Sequence, residues 1–324
     1  MDIREISEKF STDEQCLAYL QQMRWPDGII RCPQCGSKDV TRYERPLVEP
    51  KRRSKERDEK RAQRPNRRGW FFICGEKTCR NQFTPTSGTL FHDTHLPLIV
   101  WFHAVALMLN GKKGISAKQM QRDLRIGGYK TAWYLNHRIR EAMREGSIPQ
   151  LGGIVEIDET YLGGRQRGHR GKLKNKDVVL GMRERGGPLR FIHTKDATAQ
   201  TWKQIIDANL HSGLELVMTD ESTASKIALQ AKGFADRHRM VKHSAKQYVE
   251  GINYTNSIES AFSLLKRGII GSFHRISIKH LQKYLNEFSY RFNRRNDTAA
   301  FVETMRRLAQ FPPLTFDALT SEKV

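Results

Sequence analysis

Three strand-like runs in succession, followed by helix and strand in alternation, predict an α/β protein. Its main part is a mixed sheet of the ribonuclease-H-like type, preceded by a small cysteine-held ribbon and a helical, helix-turn-helix-like region. Three observations carry this expectation. GIVEI (153–157), DVVLGM (177–182) and LRFIHT (189–194) are short apolar runs rich in β-branched residues, parted by a basic loop and by the turn Gly186-Gly187-Pro188. Four of the five cysteines fall in two close pairs, Cys32/Cys35 and Cys74/Cys79. Between them and the strands the apolar spacing has the period of helices. The expected organisation is a helix and ribbon over 1–95 with a basic insert at 45–68, a helical region over 96–150, the mixed-sheet domain over 151–297 and a helical tail over 298–324.

In chain order, TDEQCLAYLQQM reads as a helix capped by Thr12 or Asp13, with Cys16 packed into its apolar side. The two cysteine pairs then suit structural Zn(II), which takes four thiolates from two turns and leaves no position for a catalytic water. The second pair is Cys-x4-Cys, and 38 residues separate Cys35 from Cys74. Most of that excess is the stretch 45–68, with eleven basic and four acidic side chains and almost nothing apolar. It cannot bury a core, so a solvated extension with access to phosphate is expected. LPLIVWFHAVALMLN, GISAKQMQRDL and TAWYLNHRIREAM follow as three helices. The last two are joined at Gly127-Gly128, with Ser116 as an N-cap, and suggest a helix-turn-helix. Its second helix would offer Lys130, Tyr134, His137, Arg138 and Arg140 to a DNA groove. After the three strands come TAQTWKQIIDANL as helix, LELVMT as strand, TASKIALQAKG as helix, HRMVKH as strand, and helices over IESAFSLLKRG and IKHLQKYLNEFSYRFNRRN. The tail holds one apolar helix pattern at Phe301, Met305 and Leu308.

Charge narrows the function. The 324 residues include 56 Lys plus Arg against 35 Asp plus Glu, a net of +21, which suits a polyanion as partner. No apolar run reaches the roughly 18 residues of a membrane span. MDIREISEKF lacks a signal-peptide core, so a cytoplasmic protein with reduced thiols is expected. No Gly-x4-Gly-Lys-Ser/Thr loop is present to cradle a nucleotide. Against this background three acids stand out. Asp158 follows the first strand, Asp220 ends the fourth 62 residues later, and Glu259 lies 39 residues further on, in a helix. In a sheet of this order the first and fourth strands are neighbours, so the two aspartates should meet. Any one of these acids alone would read as a loop cap or a salt-bridge partner. Together they would repel one another unless cations neutralised them, which implies two hard divalent ions, Mg(II) or Mn(II), on oxygen ligands. Lys266 lies seven residues beyond Glu259 on the same helix face, placed to clamp a phosphate. Asn256, three residues before Glu259, is a supporting candidate. Glu156 shares the strand face of Asp158, whereas Glu159 and Glu221 are expected to point elsewhere, and His243 reads as a loop histidine.

RWPDGIIRCPQCGS, FTPTSGTLFHDTHLPL, VEIDETYLGG, VMTD and NSIESAFSLLKRGIIGSFHRISIKHLQKYLNEFSYRFNRR are similar to stretches of bacterial insertion-sequence transposases of the DDE class, in the ISXO-type subgroup with an N-terminal zinc ribbon. They span most of residues 12–297. The resemblance implies a transposase that binds the ends of an insertion sequence and carries out metal-dependent DNA cleavage and strand transfer. It assigns the catalytic acids to Asp158, Asp220 and Glu259, the downstream basic residue to Lys266, and the zinc ligands to Cys32, Cys35, Cys74 and Cys79. It implies double-stranded DNA as partner, both element ends and target, a homo-oligomer on that DNA, and a nucleoid-associated location. The alternatives are a ribonuclease-H-like nuclease without strand transfer and a non-catalytic, domesticated DNA-binding regulator. The insert at 45–68, Tyr254 in place of a histidine, and Glu221-Ser222 in place of a glycine-containing turn depart from the family pattern.

Overall fold

The computed structural model describes residues 1, 3–44, 70–144, 149–163, 177–241 and 255–321. The basic insert 45–68, the basic loop at 165–176, His243 and Tyr254 lie outside the described residues. The chain forms two compact units, one of residues 1–143 with the helices after residue 296, the other of residues 144–295.

The first unit begins with α1 (Ile3–Lys9) and α2 (Asp13–Arg24). Thr12 starts α2 through a capping box: its side chain accepts from the Gln15 amide, and the Gln15 side chain accepts in turn from the Thr12 amide. Cys16 is buried on the apolar side of this helix, and burial pushes its thiol up to about 12, the behaviour of a core cysteine. β1 (Val40–Glu44), β2 (Trp70–Cys74) and β3 (Gln82–Phe83) form an antiparallel sheet in that order. Then come α3 (Leu98–Asn110), α4 (Ala117–Asp123) and α5 (Tyr129–Ala142). Ser116 caps α4 by accepting from the Gln119 amide at 3.1 Å. The apolar tail pattern belongs to α10 (Ala300–Gln310), which packs on α2, α3 and α5 with Phe301, Met305 and Leu308 buried. A last helix, α11, spans Phe316–Ser321.

The second unit is a five-stranded sheet between helical layers. Its strands are β4 (Ile154–Leu162), β5 (Asp177–Glu184), β6 (Leu189–Thr194), β7 (Leu216–Thr219) and β8 (His238–Met240). They are ordered β6-β5-β4-β7-β8, the first three antiparallel and the last two parallel to β4. This is the ribonuclease-H-like order, built from a meander and two crossovers through α6 (Ala199–Asn209) and α7 (Thr223–Ala231). Period-two alternation gives the sheet two apolar faces. Val155, Ile157, Leu180 and Val217 pack with Trp202 and Leu229 of α6 and α7. Val179 and Phe191 pack on the other side with α8 (Asn256–Gly268) and α9 (Leu281–Asn293) through Ile258, Phe262, Leu285 and Phe288. A short π-helix, Ile269–Phe273, continues α8.

Candidate active site and metal centres

Asp158 was expected at the end of a strand. Instead β4 continues to Leu162, paired with β5 throughout. Only its pairing with β7 stops early: Ile154, Val155 and Glu156 stand opposite Leu216, Val217 and Met218. Two residues further along the same parallel register, Asp158 comes level with Asp220. Asp220 leaves the sheet in a turn whose Ser222 amide donates to its Oδ1 at 3.0 Å. The neighbouring strand, rather than the strand itself, ends at the site.

The carboxylates of Asp158 and Asp220 lie together, and Glu159 joins them, with one oxygen of each within 4.8 Å of the others. The expectation that Glu159 points elsewhere is therefore corrected. Alternation does assign it to the α6/α7 face, but β4 has no β7 partner there among the described residues, and the longer side chain stays at the open edge. Burial, followed by the charges of Asp220 and Asp158, pushes the Glu159 carboxyl up to about 7. Its Oε2 is buried with no hydrogen-bond partner among the described residues. An oxygen-only set of crowded carboxylates fits a hard divalent cation.

Glu259 is not within that close trio. It lies on the first turn of α8, the helix that covers the face of the sheet to which Asp158 belongs, and its Oε1 accepts from the Thr255 hydroxyl at 3.0 Å. Lys266 and Asn256 are exposed on the same helix. Glu156 is fully buried; its Oε2 accepts from the Ser257 and Ile258 amides, both at 3.0 Å, and from the Ser257 hydroxyl at 2.6 Å. Its Oε1 accepts from Arg185 Nε at 2.8 Å. Sequence reading placed Glu156 on the correct face but could not show this role, because Ser257 lies 101 residues away.

In the ribbon, Cys32, Cys35, Cys74 and Cys79 bring their sulfurs within 4.8 Å of one another. Burial works against a thiolate at Cys32, yet the amides of Cys35 and Gln34 and the Asn81 side chain outweigh it and lower its thiol to about 6. Burial pushes the Cys74 thiol the other way, up to about 12. Four gathered sulfurs, with Cys32 the readily ionised one, fit tetrahedral Zn(II).

The helix-turn-helix candidates divide. Lys130 is exposed near the start of α5, beside Tyr129. His137, Arg138 and Arg140 are buried and do not face a groove. Arg138 donates to the His92 carbonyl and lies over the Trp101 and Tyr134 rings, so its charge serves packing within the unit. The Tyr134 hydroxyl donates to the Leu314 carbonyl. Tyr134 is half-buried, and the exposed part of α5 is its first turn, Tyr129 to Thr131.

Two family models match this chain: the ISXO2-like transposase domain over residues 150–293 and the transposase zinc-ribbon domain over residues 11–55. The chain carries an ISXO2-like transposase domain behind a transposase zinc ribbon. It is therefore an enzyme that cuts DNA and transfers the cut strands, using zinc and a divalent metal. The ribbon match contains Cys32 and Cys35 and stops within the insert, so it is the structure that adds Cys74 and Cys79 to the cluster. The chain is 26% identical over 298 residues to "Uncharacterized protein in transposable element ISH50" of Halobacterium salinarum, covering 87% of this chain and 91% of that protein. Among solved structures it is similar to the Mos1 transposase paired-end complex with left transposon end, at 13% identity and a TM-score of 0.26, covering 65% of this chain and 79% of that one. Among the described residues no helix is long and apolar enough to cross a membrane.

Proposed function

We propose that Asp158, Asp220 and Glu259 hold two Mg(II) or Mn(II) ions for both cleavage and strand transfer, and that this chemistry acts on the ends of an insertion sequence. The observation that carries the reading is the β4–β7 register, which sets Asp158 level with Asp220, with Glu259 on the helix over the same face. When bound, the ions activate a water or a 3′-hydroxyl and stabilise the leaving oxygen. The chain's own part is positional. Asp158 is fixed within a strand paired along its length, Asp220 is fixed by its turn, and Glu259 swings from Thr255 toward the pair. Lys266, exposed two turns beyond Glu259, takes a phosphate of the strand being cut.

End recognition falls to the ribbon and to the first turn of α5, where Tyr129 and Lys130 meet the groove, with phosphate contacts from the general basic excess. Asn256 supports the Glu259 turn. Joining two ends to one target calls for a homo-oligomer on DNA, in the cytoplasm and at the nucleoid.

The test is cleavage and joining of a labelled DNA carrying the ends of the element in Mn(II). Asp158→Asn should abolish both reactions and leave binding nearly unchanged. Equal loss of binding would make Asp158 structural. Cleavage without joining in the unmutated protein would favour a nuclease.

A further inference from the structure

Helix α8 carries Glu259 on its first turn, and its first amides need acceptors, because the opening N–H groups of any helix have no partner within it. The preceding residue does not supply one: Thr255 gives its hydroxyl to Glu259 instead. The acceptor comes from the sheet. Glu156 Oε2 takes the Ser257 and Ile258 amides and the Ser257 hydroxyl, the bonds an N-capping side chain would take, delivered by another element. A carboxylate also suits the positive end of the helix dipole. Arg185 holds the other oxygen, so the group is fixed at both ends although it is fully buried. The Ser257 carbonyl accepts from Arg183 Nη1 at 2.8 Å, and Arg183 is the β5 partner of Glu156. Ser257 is thus gripped through its amide, hydroxyl and carbonyl by two adjacent residues of the sheet.

The placement matters because of what flanks each end of this link. Two residues beyond Glu156 on the same strand face is Asp158, and two residues beyond Ser257 is Glu259. We infer that Glu156 is a positioning residue that sets the distance and angle between Glu259 and Asp158 by capping α8 from β4. This rests on the reading of Glu259 as a cation ligand. Glu156 itself touches neither substrate nor ion; it acts through the helix it holds.

Two readouts on the full-length protein test this, neither of which is turnover. The first is amide hydrogen exchange of the metal-free protein. Glu156→Met keeps the bulk and removes the acceptors, and it should strip protection from Ser257, Ile258 and Glu259 while β5 and β6 stay protected. Glu156→Gln retains a carbonyl acceptor and should keep most of that protection. The second is Mn(II) affinity, measured by the electron paramagnetic resonance of free Mn(II). Loss of a group that orients a metal ligand typically weakens binding by roughly 10- to 100-fold. Glu156→Met should fall in that range, Glu156→Gln should recover most of the loss, and Glu156→Met should add little in a Glu259→Gln background. If Glu156→Met does not fold, Ser257→Ala removes one donor and should give a smaller loss of the same kind in both readouts; no change in either overturns the inference. Equal weakening by Glu156→Met in both backgrounds overturns the inference alone. Unchanged Mn(II) affinity in Glu259→Gln by itself overturns the ligand reading, and the inference with it.

Discussion

A methyl group on residue 181 would lie 2.6 Å from the Phe262 ring and 2.7 Å from Ile258 Cδ1, so only glycine lets α8 lie this close to the sheet. Gly181 is the β5 partner of Asp158, which makes this the level at which the approach of Glu259 is decided. Gly181→Ala should destabilise the second unit by about 1–3 kcal/mol through overpacking, read as a lowered denaturation midpoint, and should weaken cleavage even in protein that remains folded. Glu159 carries the opposite kind of stress, three carboxylates in one small space. Replacing it by Gln should stabilise the metal-free protein by about 1 kcal/mol, allowing for its partial exposure. In Mn(II) that advantage should shrink or reverse, and thermal melts with and without the ion check this. At this scale Asp158 and Asp220 were legible in the sequence, because each follows an apolar run. The arrival of Glu159 was not, since alternation describes a fully paired strand and β4 lacks its β7 neighbour there. The cap by Glu156 was also hidden, because it depends on which helix lands on the strand.

Among the elements, the ribbon holds the four-cysteine cluster and α5 exposes Lys130, so zinc ligation and phosphate contact can be tested apart. Cys32→Ser should release zinc and unfold the ribbon, monitored by metal content and by loss of β1–β2 amide protection; a variant that folds identically without metal would refute the zinc ligation. On α5, Lys130→Ala should lower DNA affinity and reduce the salt slope of binding by about 1, as expected for one lost phosphate contact. Arg138→Ala should leave that slope unchanged and instead lower stability, since it empties the space over Trp101 and Tyr134. The helices and the glycine turn could be read from periodicity, and Ser116 caps α4 as expected. Which side of α5 is buried could not be read. His137, Arg138 and Arg140 are polar by type, and their burial comes from the surrounding helices and the segment before α3. Helix α1 gave too short a pattern to register, although Ile6 is fully buried.

For the whole molecule, the meander followed by alternating helix and strand was enough to anticipate a five-stranded mixed sheet, because chain connectivity leaves few ways to order such strands. The net charge of +21 pointed to a polyanion partner, which the transposase family makes DNA. The placement of the last helices was not foreseen: α10 packs within the first unit, so a chain segment that follows the catalytic unit completes the core of the one before it. That grouping comes from apolar faces matching across almost three hundred residues, which local patterns do not report. If residues 45–68 touch phosphate, deleting them should flatten the salt dependence of DNA binding while leaving zinc content unchanged. Whether three acids far apart in the chain share one pair of ions is decided by anomalous diffraction from crystals grown in Mn(II). Manganese should be bound by Asp158 and Asp220, with Glu259 turned from Thr255 to complete the site; manganese held by Asp158, Asp220 and Glu159 with Glu259 still on Thr255 would rule this out.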